Sequence, residues 1–196
     1  MAKRGFDLLV SALLLLLAAL PMLLIAAWVR WDSPGPALFR QTRVGQGGRP
    51  FTIHKFRTMR AECGGLGLTV GADARITRAG RWLRRLKLDE LPQLWDVLRG
   101  AMSLVGPRPD LPEYVARYPA ELRVRVLRVR PGITDPASLE FRDEAALLAQ
   151  ESDPERAYFE RILPAKLALS ADYADRATLW TDLLLIGRTA TLLLGR

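Results

Sequence analysis

Asp89 and Glu90 are adjacent carboxylates that follow a run, Ala74 to Leu88, with no acid and six cations: Arg75, Arg78, Arg81, Arg84, Arg85 and Lys87. They sit in Leu88-Asp89-Glu90-Leu91-Pro92-Gln93-Leu94-Trp95, and Met102-Ser103-Leu104-Val105-Gly106-Pro107-Arg108-Pro109 follows closely. A hydrophobic core has no use for such a grouping, whereas an anionic substrate and a divalent cation do. If Asp89 caps a helix, unpaired N–H groups, the helix dipole and the nearby Arg84, Arg85 and Lys87 all lower its pKa and keep it ionised. An ionised aspartate can attack phosphorus to give an aspartyl-phosphate intermediate. It can also bind Mg²⁺, which takes one or two carboxylates and completes its shell with water and substrate phosphates. Glu90 then serves as a second metal ligand or as a proton acceptor. Arg108, fixed between Pro107 and Pro109, is preorganised for an anion. Each feature also has a structural reading: an acidic N-cap, a solvated or lipid-facing basic surface, a rigid proline corner.

The elements that must hold these groups are legible in outline. Arg78 to Leu86 reads as a basic helix. A second helix is expected from Glu90 to Leu98, with Asp89 as N-cap, Pro92 in the first turn and Gly100 as the stop. Gly106 to Pro109 is a rigid extended loop. Ala37 to Val44 and Phe51 to Phe56 alternate apolar and polar residues around Gly45-Gln46-Gly47-Gly48-Arg49-Pro50, which predicts a β-hairpin. Gly64, Gly65, Gly67 and Gly71 predict a loop. They do not form a dinucleotide fingerprint, because Val70 occupies the last glycine position, and no Walker lysine follows. Leu122 to Arg130 is compatible with strand or helix. Glu144 to Gln150 and Asp153 to Ser170 read as helices, and Thr178 to Leu194 as an interfacial or packed helix. The expected class is α+β: a small, mainly helical domain with a β-hairpin.

The chain of 196 residues is long enough for one compact domain and an appendage, and its net charge of +8 favours phosphates, acidic headgroups or nucleic acid. One cysteine, Cys63, and one histidine, His54, exclude an internal disulfide and a Cys/His zinc site. Leu8 to Val29 carries no charge over 22 residues. As a helix it reaches about 33 Å, close to a bilayer's hydrocarbon core of roughly 30 Å. Lys3 and Arg4 precede it while Arg30, Arg40 and Arg43 follow, so both ends prefer the cytoplasmic side. Either a straight span or a helix that bends at Pro21 and leaves on the face it entered is consistent with these residues.

Several motifs together carry a family likeness. They are Lys3-Arg4-Gly5-Phe6-Asp7, Ser33-Pro34-Gly35-Pro36, Phe39-Arg40-Gln41-x-Arg43-x-Gly45, Lys55-Phe56-Arg57-Thr58-Met59 and Asp73-x-Arg75-Ile76-Thr77, followed by Leu88 to Leu94, Met102 to Pro109 and Arg130-Pro131-Gly132-Ile133-Thr134. In this order the chain resembles the small monotopic phosphoglycosyl transferases, also called bacterial sugar transferases. The resemblance implies transfer of a sugar-1-phosphate from a UDP-sugar to polyprenyl (undecaprenyl) phosphate, with UMP released through a covalent aspartyl phospho-sugar intermediate. It implies Asp89 as nucleophile, Mg²⁺ held with Glu90, and Lys55, Arg57, Arg84, Pro107, Arg108 and Pro109 around the substrate phosphates. It also favours re-entry at Pro21, with residues 1–36 in the membrane and 37–196 forming a catalytic domain at the cytoplasmic face of the bacterial inner membrane. UDP-sugar, polyprenyl phosphate and membrane lipid are the expected partners. Nucleic acid is not, since interleaved aromatics for base stacking are missing. The Trp- and Leu-rich terminal helices offer surfaces for a homodimer. A membrane-anchored basic binding or scaffold module without catalysis is the alternative. Ala101, Asp96 and Asp135-Pro136-Ala137-Ser138 depart from the family's commoner residues, as does Leu20 before Pro21.

Overall fold

The computed structural model describes residues 2–60, 70, 71 and 73–194. The glycines at 64, 65 and 67 and Cys63 lie outside the described residues. Helix α1 (Ala2–Asp32) is followed by β1 (Leu38–Val44) and β2 (Pro50–Phe56), then α2 (Arg78–Arg85), α3 (Gln93–Leu98), β3 (Ser103–Val105), α4 (Pro112–Val115) and α5 (Ala120–Val126). After β4 (Gly132–Thr134) come α6 (Pro136–Glu140), α7 (Glu144–Leu148), α8 (Pro154–Ala157), α9 (Leu163–Arg176) and α10 (Leu179–Leu194). The fold is α+β and mainly helical, as anticipated.

β1 and β2 form the predicted antiparallel hairpin, in register from Leu38 opposite Phe56 to Val44 opposite Pro50. Of the undecided stretch Leu122 to Arg130, the part up to Val126 belongs to helix α5 and the rest is turn. β3 and β4, which sequence reading did not find, pair in parallel. Their union requires glycine. A Cβ on Gly106 would lie 2.3 Å from the Arg130 carbonyl oxygen, and one on Gly132 only 2.0 Å from the Gly106 nitrogen. The largest core cluster joins Val115, Tyr118, Val126, Leu148, Tyr158, Leu163 and Leu167 beneath the loop after β3.

Helix α1 spans 31 residues, about 46 Å at 1.5 Å per residue, and is helical on both sides of Pro21. It is long and apolar enough to cross a membrane by length and composition. Its two ends are nevertheless bonded to the same folded body. At one end Lys3 Nζ donates to the Val105 carbonyl (3.1 Å) and pairs with Asp182, Arg4 Nη2 donates to the Val97 carbonyl (2.8 Å), and Asp7 accepts from Ser103 Oγ (2.8 Å). At the other, Asp32 accepts from the Ala79 N–H (2.9 Å). Between them Phe6, Val10 and Leu15 pack on Leu94, Leu104 and Leu185, while Met22, Ile25 and Val29 pack on Phe56 and Leu83.

The outward face of α1 is a stripe of leucine. Leu9, Leu13, Leu16, Leu17, Leu20, Leu23 and Leu24 are all exposed at helical spacing. Leaving seven leucines in water would cost roughly 10 kcal/mol or more at 1.5–3 kcal/mol each. That is as large as the net stability of a typical domain, and the stripe is apolar enough to anchor in a membrane.

Candidate active site

The site is organised by the close approach of α2 to the chain leaving β2. Thr77 caps α2, its hydroxyl accepting from the Gly80 N–H (3.0 Å). Gly80 lies so near the strand exit that a Cβ would sit 2.1 Å from the Thr58 carbonyl oxygen. Arg84, one turn on, donates through Nε to Thr58 Oγ1 (2.9 Å) and feels the charges of Asp89 and Asp73. Lys87 then adopts a left-handed conformation (φ 56°) and ends the helix.

A short 3₁₀ turn, Leu88–Glu90, follows, and α3 starts only after Pro92. This corrects the expected helix from Glu90 with Asp89 as N-cap. The left-handed Lys87 instead turns both carboxylates inward, where Asp89 is 8% and Glu90 6% exposed.

Glu90 Oε1 accepts from Arg108 Nη2 at 2.7 Å, and Lys55 Nζ lies 3.9 Å from the same oxygen. Asp89 Oδ1 is buried without a hydrogen-bond partner among the described residues. Burial pushes the Glu90 carboxyl up, but Arg108, Lys55 and Lys87 together overcome it and hold the group at about 2. Asp89 moves the opposite way. Burial first, and then the negative charge of Glu90, raise it above the ordinary carboxylate range, against Lys55, Lys87 and Arg108. The expectation of a lowered Asp89 pKa is therefore overturned, because the helix end that was to lower it lies three residues further on. Burial, reinforced by Arg108, lowers the Lys55 ammonium to about 8, with Glu90 and Asp89 opposing. Glu90 raises Arg108 above its usual value and fixes its charge.

The structure thus gathers Asp89, Glu90, Lys55, Arg84 and Arg108 in one place. Pro107 and Pro109 contribute through the backbone: the Pro107 carbonyl accepts from Gly132 N–H (3.0 Å) and the Pro109 carbonyl from Arg43 Nη1 (3.3 Å). Arg57 is not in this group. It is 4% exposed, and its guanidinium donates to the carbonyls of Ser33 (2.8 Å), Pro34 (2.6 Å) and Pro36 (2.7 Å) and to Ser33 Oγ (2.8 Å). It fixes the turn leaving α1, with all three guanidinium nitrogens engaged there.

Three supporting residues escaped sequence reading. Asp135, 1% exposed, accepts from Ser138 N–H (2.8 Å), Ser170 Oγ (3.0 Å) and Arg108 N–H (3.4 Å), tying the proline loop to α6 and α9. Its Asp-Pro-x-Ser context is a readable helix start, with a capping acid before proline at the first helical position. His54 and Asp96 clasp β2 to α3 through His54 N–H (2.9 Å) and Nδ1 (2.7 Å). That clasp holds the strand that carries Lys55 against α3.

Among the described residues no cluster of three or more His, Cys, Asp or Glu side chains gathers to hold a metal. A hard cation at this site would rest on Asp89 and Glu90 and take its remaining ligands from water and substrate phosphate, which is the habit of Mg²⁺. The orphaned Asp89 Oδ1 fits that donor set.

The sequence that builds this site has counterparts in known proteins. The whole chain, residues 1–196, matches the family described as bacterial sugar transferase. It is 41% identical, over 98% of its length, to UDP-glucose:undecaprenyl-phosphate glucose-1-phosphate transferase of Caulobacter vibrioides, and spans 69% of that protein. It is 39% identical over 94% of its length to undecaprenyl-phosphate glucose phosphotransferase of Komagataeibacter xylinus, spanning 34% of it. Identity is 36% over 98% to UDP-N-acetylgalactosamine-undecaprenyl-phosphate N-acetylgalactosaminephosphotransferase of Aeromonas hydrophila, of which the chain spans 44%. An unbroken match from the first residue to the last means that this chain belongs to the bacterial sugar transferase family.

Proposed function

We propose that the protein moves a sugar-1-phosphate from a UDP-sugar to a polyprenyl phosphate such as undecaprenyl phosphate, in two displacements on Asp89. The Asp89 carboxylate oxygen attacks the sugar-linked phosphorus. The bridging P–O bond breaks, and UMP departs with the electron pair. A phosphate oxygen of the polyprenyl phosphate then attacks the same phosphorus, the aspartyl P–O bond breaks, and polyprenyl diphosphate sugar leaves with Asp89 regenerated. The observation that carries this reading is the asymmetry of the buried pair. Glu90 is ionised and committed to Arg108, while Asp89 keeps an unpartnered oxygen and a raised pKa.

That asymmetry assigns the remaining roles. Arg108 and Lys55 would offset the charge that develops on the departing UMP phosphate, since preorganised cations act most strongly in a water-poor site. Arg84 lies close enough to Asp89 to favour its ionised form. Mg²⁺, bound by Asp89 and Glu90, would neutralise diphosphate charge. The relatives' names give glucose in one case and N-acetylgalactosamine in another, so the sugar itself is left unassigned.

We place α1 in the cytoplasmic leaflet of the bacterial inner membrane, entering and leaving on one face and yielding at Pro21. Support comes from both helix ends bonding to one body and from the leucine stripe between them. An interfacial site of this kind brings a soluble sugar nucleotide and a lipid phosphate together. The test is UMP release from a panel of UDP-sugars with undecaprenyl phosphate, with and without Mg²⁺. Mg²⁺-dependent release is expected for at least one donor and none for Asp89→Asn; release by that variant contradicts the nucleophile.

A further inference from the structure

The cation run before Asp89 is used only in part by the site. Arg75 pairs with Asp73 and Arg84 turns inward to Thr58. Arg78, Arg81, Arg85 and Lys87 remain exposed, on a helix whose other face buries Ala79, Gly80 and Leu83. Trp82 stands among them, 56% exposed, with the Arg85 guanidinium 5.9 Å from its ring. This basic face is not remote from lipid. α2 is bonded to the last turn of α1 through Ala79 and Asp32, and Leu83 packs with Val29. There the leucine stripe of α1 gives way to Trp28, 41% exposed, the exposed Arg30, and Trp31, 94% exposed. Tryptophans next to arginines at the end of an apolar stripe mark headgroup depth. Among the described residues none of Arg30, Arg78, Arg81 and Lys87 is held in an ion pair, and no acid occurs from Ala74 to Leu88. The nearest acid, Asp32, accepts from the Ala79 N–H and feels the charges of Arg78 and Arg81, a single carboxylate against three arginines.

We infer that the outer face of α2, together with Arg30, forms a ledge that binds the headgroups of anionic phospholipids beside the active site. The inference rests on the interfacial placement of α1 proposed above. Charge complementarity selects the occupant. A neutral bilayer gives the leucine stripe everything it needs but offers no counter-charge to Arg30, Arg78 and Arg81, which outnumber the one nearby acid. Cations at this depth each add about fivefold to the attraction for an anionic leaflet at low salt. Screening shortens their reach to about 3 Å near 1 M salt.

The probe is the full chain in proteoliposomes of phosphatidylcholine carrying spin-labelled phosphatidylglycerol or spin-labelled phosphatidylcholine, with the protein-associated fraction read by electron spin resonance. The wild type should prefer phosphatidylglycerol by about fivefold or more at low salt, and the preference should collapse near 1 M salt. The triple variant Arg30→Gln, Arg78→Gln, Arg81→Gln should lose most of the preference while still releasing UMP in neutral lipid. Asp89→Asn should keep the preference while losing UMP release, which separates failure of the ledge from failure of the catalytic reading. Equal association of both labels with the wild type, a preference insensitive to salt, or a triple variant that prefers phosphatidylglycerol as strongly as wild type would overturn the inference.

Discussion

Two arginines sit beside proline turns, and the turns use them in opposite ways. At Ser33-Pro34-Gly35-Pro36 the prolines create a tight bend whose carbonyls point inward, and Arg57 reaches across to fill them. At Gly106-Pro107-Arg108-Pro109 the prolines flank the arginine itself, and the bend holds its side chain out toward Glu90. Arg57 is enclosed, whereas Arg108 keeps 34% of its side-chain surface exposed and has donors left for a ligand. The lesson is that an arginine's role follows from how many acceptors surround it. Family resemblance suggested a phosphate contact for both, and proline context supported it for Arg108 alone.

The comparison can be broken most forcefully at Arg57. Arg57→Ala leaves several buried carbonyls without donors and should cost at least about 3 kcal/mol of stability, seen as a lower thermal midpoint in detergent, with the donor KM of the folded fraction unchanged. Arg57→Lys should rescue little, because one ammonium cannot span the same carbonyls. Arg108→Ala should differ in kind, lowering the rate of UMP release by the folded protein by about 10²–10³, alongside a lower midpoint because buried Glu90 loses its partner. A stable Arg57→Ala protein that lost donor affinity would reverse the assignment of the pair.

A smaller effect concerns pH. Activity needs Asp89 deprotonated and Lys55 protonated. It should fall on the acid side through a raised Asp89 pKa and on the alkaline side near Lys55's value of about 8. Lys55→Arg keeps a positive charge above that pH, so its alkaline limb should move upward while the acid limb stays in place. An unmoved alkaline limb in kcat/KM would assign it to another group.

Local features of the sequence proved dependable where local physics decides. Alternation around Gly45 to Pro50 foretold the hairpin, and the uncharged stretch after Asp7 foretold α1. What escaped depended on distant partners. β3 and β4 are three residues each and pair across a separation of nearly thirty, so no period is visible in either. The Gly106-Pro107 and Pro131-Gly132 pairs were the available hint, since both glycines stand where a Cβ would clash. Asp89 was mistaken for a cap because nothing local announces that Lys87 turns left-handed. The site was therefore readable as a set of residues, but its electrostatics were not: which carboxylate is held ionised depends on Arg108, eighteen residues away. The enclosure of Arg57 escaped for the same reason, its acceptors lying more than twenty residues upstream.

The central claim is that phosphorus passes through a covalent bond to Asp89, and it can be tested by omitting the lipid acceptor. Wild-type protein given Mg²⁺ and a UDP-sugar labelled in its β-phosphate should release UMP once and retain the label in equal amount on the peptide containing Asp89. Adding undecaprenyl phosphate should then discharge the label into the lipid. Label that appears only in the lipid product, with no protein-bound species before the acceptor is added, would contradict the account.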